Sequence, residues 1–260
     1  MSHSTVILQS EGELAFLTLN RPDKRNALSP ELIADILEAL DTIERGPSRV
    51  AILTGAGQSF CAGMDLAALR KLADQTPAEN LADARRTLGL FRRVWSFPKP
   101  LIAAVNGAAV AGGAGLATLC DFTIAATEAK FGYPEVRIGF MPALISAFLQ
   151  LQVGEKAARD LLLTGRIFGA DEARELGLVN RVVPAEQVVA VAREIAGELM
   201  QNSPHSLLVT KRLLVRVDED ELNRRLELGI AESVAIRETA ELREGLNAFL
   251  EKRKPDWSRK

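Results

Sequence analysis

The stretch at positions 106–121, NGAAVAGGAGLATLCD, constrains the fold of this chain more than any other. It holds four glycines and five alanines in sixteen positions, and no side chain suited to acid–base work before Asp121. It follows directly on the apolar run PLIAAV. A segment so bare serves one of two ends: backbones pack there at close range, or a ligand approaches the main chain itself.

Around it, strands and helices alternate. TVILQ and LAFLTL predict two short strands about the turn SEGE, and RVAILTG, LIAAV, DFTIAAT and LVNRVV predict four more, the last closed by Pro184. Ser29 followed by Pro30 is a helix-start signal. Leu32, Ile33, Ile36, Leu37, Leu40 and Ile43 then form one apolar stripe, so the spacing predicts a helix over 30–45. Thr76 and Pro77 repeat the signal for a helix that carries Leu81, Leu88, Phe91 and Val94 and stops before Pro98. AGQSFCAGMDLAAL is a glycine-bearing loop running into a helix, and EKAARDLLLTG and GADEARELG predict short helices that end at glycine. From Ala185 to about Lys252 the pattern is helical throughout, with room for four or so helices. The whole predicts an α/β core with a C-terminal helical region, divided as 1–200 and 201–260.

Several chemistries are disfavoured. With 32 basic against 34 acidic residues, the chain has no bulk attraction for nucleic acid. No apolar run is long enough to cross a bilayer, and the start MSHSTVILQSEGE lacks the pattern of a signal peptide. Cys61 and Cys120 are the only cysteines, as expected of a reduced, cytoplasmic protein. There is no phosphate-binding G-x-x-x-x-G-K-[ST], and AGGAG is not the dinucleotide pattern G-x-G-x-x-G. GQSFC places Cys61 where a serine-nucleophile elbow needs its second glycine, and prolines 98 and 100 flank Lys99 in the S-x-x-K match SFPK. No metal-ligand spacing is present, so no metal is expected. His3 falls at the terminus and His205 at a helix start, and no histidine stands near Cys61 in sequence to activate it. Cys61 is expected to be a small buried apolar residue.

What remains is a pair of loops, FCAGMDL and AAVAGGAGL, each running from a strand into a helix. Amides at helix starts are unpaired and carry partial positive charge. Facing one another, the two loops would form an oxyanion hole from main chain alone. Taken singly, each is equally a device for close strand–helix packing.

Six stretches together resemble the enoyl-CoA hydratase/isomerase (crotonase) family: LTLNRPDKRNALS (17–29), VAILTGAGQSFCAGMDL (50–66), KPLIAAVNGAAVAGGAGLATLCDFTIAA (99–126), FGYPEVRIGFMP (131–142), LTGRIFGADEARELGLVNRVVP (163–184) and EGLNAFLEKRKPDW (244–257). They run in order over nearly the whole chain. The resemblance implies a crotonase-like spiral of ββα units, a C-terminal helical trimerisation region, assembly as a homotrimer or hexamer, and an acyl-CoA thioester as substrate with no separate cofactor. It makes the amides of Met64 and Gly112 the oxyanion donors, with Gly113 and the small residues around it leaving room for the thioester. It places Lys24 and Arg25 at the CoA phosphates, Ala27 beside the pantetheine, and Ala62 and Met64 around the adenine. Phe249 and Lys252 would reach a CoA held by a neighbouring subunit, while Arg253 and Lys254 serve either the CoA or the helix C-terminus.

Hydratases of this family usually carry two glutamates. The second matches Glu135, and the first falls at position 115, where this chain has Gly115. One carboxylate can return a proton to a different carbon, which is Δ3,Δ2-isomerisation, or relay one through water, which is hydration. Glu135 could instead be paired with Arg137 or a distant lysine. GGAGL together with EVRIG also resembles bacterial hydratases assigned to methylglutaconyl-CoA. The leading expectation is a 2-enoyl-CoA hydratase. The alternatives are an isomerase using Glu135 alone, a methylglutaconyl-CoA hydratase, and a non-catalytic acyl-CoA binder. Asp65 at a helix start and Asp121 at a turn are expected to be structural.

Overall fold

The β-rich half begins with an antiparallel hairpin, β1 (Val6–Glu11) and β2 (Leu14–Leu19). This is a computed structural model, and it describes residues 5–72 and 74–258; His3 lies outside them. After α1 (Pro30–Arg45) come β3 (Val50–Gly55), β4 (Ser59–Cys61), α2 (Leu66–Leu72) and α3 (Pro77–Trp95). Then follow β5 (Leu101–Val105), β6 (Ala108–Val110), α4 (Gly112–Thr118), β7 (Phe122–Ala126), β8 (Lys130–Gly132) and α5 (Ala143–Thr164). The chain continues through β9 (Ile167–Gly169), α6 (Ala170–Glu175), β10 (Arg181–Val183) and four helices, α7 (Val188–Met200), α8 (Pro204–Val217), α9 (Glu219–Ala235) and α10 (Ala240–Leu250).

The strands form two sheets. The larger has the order β1-β2-β3-β5-β7-β10 and the smaller β4-β6-β8-β9. Successive units thus lay one strand in each sheet before a helix returns the chain: β3 then β4, β5 then β6, β7 then β8. This is the ββα spiral expected. Within each sheet the strands are parallel except for β1 against β2 and β8 against β9. β3 and β5 read as near-continuous apolar runs because both their faces are covered.

The helix starts behave as their sequences predict. Ser29 Oγ accepts from the Leu32 amide at 3.2 Å with Pro30 in the first turn, and Leu32, Ile33, Ile36, Leu40 and Ile43 are buried beneath α1. Each such side chain contributes about 1.5–3 kcal/mol. Thr76 and Glu79 complete a reciprocal capping box on α3. Lys99, the lysine of SFPK, donates to the carbonyls of Ile43 and Gly46 at 2.7 and 2.9 Å, closing the C-terminus of α1. The helix predicted over EKAARDLLLTG is the second half of α5, whose backbone breaks at Gly154 (φ 75°). α7 packs on the larger sheet, and α9 packs on α3 and α5. Among the described residues no helix is long and apolar enough to cross a membrane.

Candidate active site

One cavity of about 1000 Å³ runs from an exposed mouth into the interior and gathers most of the residues the sequence singles out. Its mouth is built on the loop between β2 and α1. Arg25 and Asn26 both adopt left-handed backbone there (φ 49° and 54°). Asn26 makes this tolerable: its side chain accepts from the Arg21 amide at 2.8 Å and donates to the carbonyls of Ala56 and Ser59 at 2.9 and 2.8 Å. Arg21 in turn pairs with Asp65 at 2.9 Å. Lys24 and Arg25 are thereby held exposed at the mouth with Ala27 beneath them, and all three line the cavity. Neither Arg21 nor Asn26 stood out in the sequence. The polar side chain of Asn26 inside a loop that must be buried was the available signal.

The two glycine-bearing loops do face one another. A methyl group added at Gly63 (φ 87°) would lie 2.9 Å from the Ala111 side chain and 3.7 Å from the Gly112 nitrogen. Met64 forms a parallel bridge with Leu28, in which Leu28 donates to the Gly63 carbonyl at 2.7 Å and the Asp65 amide donates to Leu28 at 2.9 Å. That pattern turns the Met64 N–H away from Leu28. Gly112 opens α4, where amides have no helical acceptor. Neither amide has an acceptor among the described residues. Ala111, which delivers the chain to Gly112, is held at φ 53° by the hydrogen bond its N–H donates to the Gly132 carbonyl at 2.7 Å. Such backbone is costly for a residue with a side chain and persists only where its surroundings enforce it. Met64, Ala62, Ala111 and Gly112 all line the cavity.

Gly113 and Gly115 have different duties from those expected. Neither lines the cavity. A methyl group at Gly113 would stand 2.1 Å from the Cys61 carbonyl oxygen, so this glycine is where α4 packs on β4. At Gly115 the methyl would stand 2.1 Å from Ile145 Cδ1 and 3.6 Å from Phe91 Cε1, and both of those side chains do line the cavity. The space a side chain at position 115 would need is occupied by Ile145 from α5. The bare segment therefore serves both ends at once, with Gly113 and Gly115 for packing and Gly112 for the cavity.

Glu135 sits in a 3-10 turn, Pro134–Ile138. Its carbonyl accepts from the Phe140 amide at 3.0 Å. α10 clamps this turn from outside, approaching so closely that a methyl at Gly245 would meet the Ile138 carbonyl at 2.3 Å. The residue as a whole is half-buried, but Oε2 is enclosed and has no hydrogen-bond partner among the described residues. Burial pushes the carboxyl up to about 7, against a smaller opposing pull from its own backbone amide. Arg137 is exposed and forms no ion pair with it among the described residues.

Asp65 and Asp121 are tied into the fold by hydrogen bonds and ion pairs. Asp65 caps α2 through the Ala67 amide (2.8 Å); burial raises its carboxyl, but the bonds from Ala67 and Arg21 outweigh this and leave it below the usual range. Asp121 accepts from the Leu101 amide at 2.7 Å and from Lys211 at 2.6 Å. Burial drives the Cys61 thiol up to about 12, far from a reactive thiolate, and Cys120 is buried too. His205 is exposed in the first turn of α8.

At the C-terminus, Phe249 lines the cavity of its own chain. Lys252 follows the end of α10 in left-handed backbone (φ 55°) and does not line the cavity; Arg253 does, paired with Glu244 and Glu251. Leu242 and Leu246 are buried against Leu69.

The model of the enoyl-CoA hydratase/isomerase family matches residues 9–260. A Thermus thermophilus protein whose enoyl-CoA hydratase assignment is itself inferred is 47% identical over 94% of this chain and 97% of its own. The crotonyl-CoA hydratase of Syntrophomonas wolfei is 35% identical over 99% of each chain. Among solved structures, an enoyl-CoA hydratase/isomerase from Xanthobacter autotrophicus Py2 superposes with a TM-score of 0.89 at 32% identity, over 96% of this chain and 97% of that one. With the two-sheet spiral and this cavity, the chain belongs to the enoyl-CoA hydratase/isomerase family.

Proposed function

We propose that the chain hydrates a 2-enoyl-CoA thioester. The observation that carries this reading is the unpartnered carboxyl of Glu135 in the same cavity as the free amides of Met64 and Gly112. In this mechanism ionised Glu135 takes a proton from water as the water oxygen bonds to C3. The C2–C3 π electrons move toward the thioester, whose oxygen becomes an enolate held by the two amides. Glu135 then returns the proton to C2, and the carboxylate is regenerated. Two fixed donors aimed at the developing charge are worth roughly 3–4 kcal/mol each in the barrier.

Ile145 in the place of a second carboxylate gives Δ3,Δ2-isomerisation as a specific second reading. There Glu135 removes the C2 proton of a 3-enoyl-CoA and returns it to C4. A turnover screen on crotonyl-CoA, a 3-enoyl-CoA and methylglutaconyl-CoA separates these readings, and binding without turnover on any of them would mark a non-catalytic acyl-CoA protein.

Both reactions start from ionised Glu135. Activity should therefore rise with pH through a midpoint near the carboxyl's pKa of about 7 and fall away on the acid side. A kcat/KM profile flat from mildly acid to mildly alkaline pH would remove Glu135 from this role.

The CoA phosphates are assigned to Lys24 and Arg25. Both are exposed, so their attraction is screened by salt. Lys24→Ala or Arg25→Ala should raise KM about two- to fivefold with little change in kcat. A KM insensitive to both substitutions and to ionic strength would contradict the placement.

We further propose assembly as a trimer or hexamer, a reading supported by apolar side chains left in the open. Leu213, Leu214 and Val217 on α8 are 62%, 67% and 70% exposed, a patch that a monomer would leave in water. Sedimentation should show a trimer or its double, and a monomer at working concentration would refute this.

A further inference from the structure

The main chain alone holds the Met64 amide in place only thinly. The bridge between Leu28 and Met64 is isolated, a single residue pair with hydrogen bonds of 2.7 and 2.9 Å. Among the described residues one more main-chain bond joins residues 21–28 to 61–65, from the Ala62 N–H to the Arg25 carbonyl at 3.0 Å. The Arg21 side chain supplies the rest. Its Nη1 donates to the Ala27 carbonyl at 2.5 Å, and its Nη2 pairs with Asp65 at 2.9 Å. Ala27 precedes Leu28 and Asp65 follows Met64, so one guanidinium ties the two segments together at the bridge.

Both ends of this clamp are themselves anchored. The Arg21 carbonyl accepts from the Lys24 and Asn26 amides at 2.9 Å each, and its N–H donates to Asn26 Oδ1 at 2.8 Å. Asp65 Oδ1 accepts from the Ala67 amide at the start of α2. Arg21 and Asp65 both line the cavity, with side chains 19% and 11% exposed. An ion pair at such a partly open wall adds little to stability. What it adds is direction, because two N–H groups of one planar fork fix an angle as well as a distance. Direction matters at this point: a donor serves an oxyanion only at about 2.7–3.1 Å, and a misplacement of about 1 Å costs on the order of 10² in rate. The Gly112 amide depends on a different support, the bond from Ala111 to the Gly132 carbonyl.

We propose that Arg21 is a positioning residue for the reaction: by clamping Ala27 to Asp65 it aims the Met64 amide at the thioester oxygen. The inference rests on the enoyl-CoA reading of the cavity. Arg21 acts through Met64 and moves no proton. The turn it closes also carries Lys24 and Arg25, so the loop assigned to the CoA phosphates is the loop that orients one of the two oxyanion donors. A lysine at position 21 can meet Asp65 as a point charge but cannot hold Ala27 in the same plane. Asp65→Asn opens the clamp from the other side. Its amide oxygen keeps the cap on Ala67, while its NH2 group turns donors toward the guanidinium.

The test reads the thioester carbonyl directly. Hexanoyl-CoA, isotope-labelled at that carbonyl, has no double bond to hydrate or shift, and infrared difference spectra on the intact protein give its stretching frequency free and bound. Hydrogen bonds from two amides lower the frequency in the parent protein. Arg21→Lys and Asp65→Asn should each remove about half of that lowering, because the Gly112 amide remains. Each should also cut kcat on the turned-over enoyl-CoA about ten- to hundredfold, while KM moves by no more than a few-fold. A bound frequency that both variants leave at the parent value overturns the proposal, as does an unchanged kcat. If Arg21→Lys does not fold, Asp65→Asn decides alone, with its helix cap intact. No lowering in the parent protein would overturn the proposal together with the oxyanion reading of Met64 and Gly112. A lowering that the variants lose, in a protein that turns over no enoyl-CoA, would support the clamp and sink the enzymatic reading alone.

Discussion

Glu135→Gln should abolish turnover and make the protein more stable at the same time. The amide keeps the size and shape of the carboxyl but cannot take or return a proton, so kcat should fall by on the order of 10³–10⁴ while CoA-thioester affinity stays within a few-fold of the parent. The gain in stability comes from the same burial that suits the group to its task. The carboxyl titrates at about 7 in the fold against an ordinary 4.5, so the folded state holds the proton more tightly than the unfolded chain does. Above pH 7 the ionised carboxylate therefore works against folding, by up to roughly 3 kcal/mol. Below about pH 4.5 both states are protonated and that penalty disappears. Denaturant melts of the two proteins should diverge at alkaline pH, with the variant ahead, and converge in acid. Wild-type turnover in the variant would return Asp65 or Asp121 to consideration. Equal stability at pH 8 would show that Glu135 is better solvated than its enclosed Oε2 implies. On the proposed role of Glu135, the site would trade local stability for reactivity.

The sequence made the first sheet and the helices legible, and the second sheet illegible, for one physical reason. β3 buries five of its six residues and β5 all five, and α1 shows a full apolar stripe, so each carries enough pattern to detect. β4, β6, β8 and β9 are three residues each, too short for any alternation to register. Yet β4 and β6 carry the loops that bring Met64 and Gly112 together. Those loops were found through their composition and through the resemblance, not through periodicity. Glu135, singled out by motif position, lines the cavity. What motif position cannot convey is what fills the space around a residue. Lys252 and Arg253 are neighbours, and only the left-handed turn at Lys252 decides that Arg253 lines the cavity. Arg21 is one arginine among many until its ties to Ala27 and Asp65 single it out. Gly115 reads as a vacancy, and only the packing of a residue thirty positions later shows that it is not one.

That packing sets the outcome of the sharpest substitution. Gly115→Glu puts back the family's first carboxylate, but its Cβ would fall 2.1 Å from Ile145 Cδ1 and 2.8 Å from Cγ1. Ile145 is 4% exposed and sits inside α5, so it can turn its δ-methyl aside but cannot leave. Even a single methyl, as in Gly115→Ala, needs Ile145 to shift as well, because Cγ1 at 2.8 Å stays in place when the δ-methyl turns. A glutamate needs the whole volume and carries a carboxylate into contact with Ile145 and Phe91, which raises the cost further. The single variant should lose roughly 2–4 kcal/mol of stability, about 5–15 °C in Tm, and most of its turnover. Gly115→Glu combined with Ile145→Ala removes the obstruction and leaves two carboxylates flanking the same space. If the native reaction is hydration held back by loosely placed water, the double variant should recover its stability and hydrate crotonyl-CoA faster than Ile145→Ala alone. If the native reaction is isomerisation, the double variant should fold yet show no such gain, because a second carboxylate has no proton to move in a 3-enoyl-CoA. A Gly115→Glu protein as stable and as active as the parent would mean that Ile145 does not hold that space in solution.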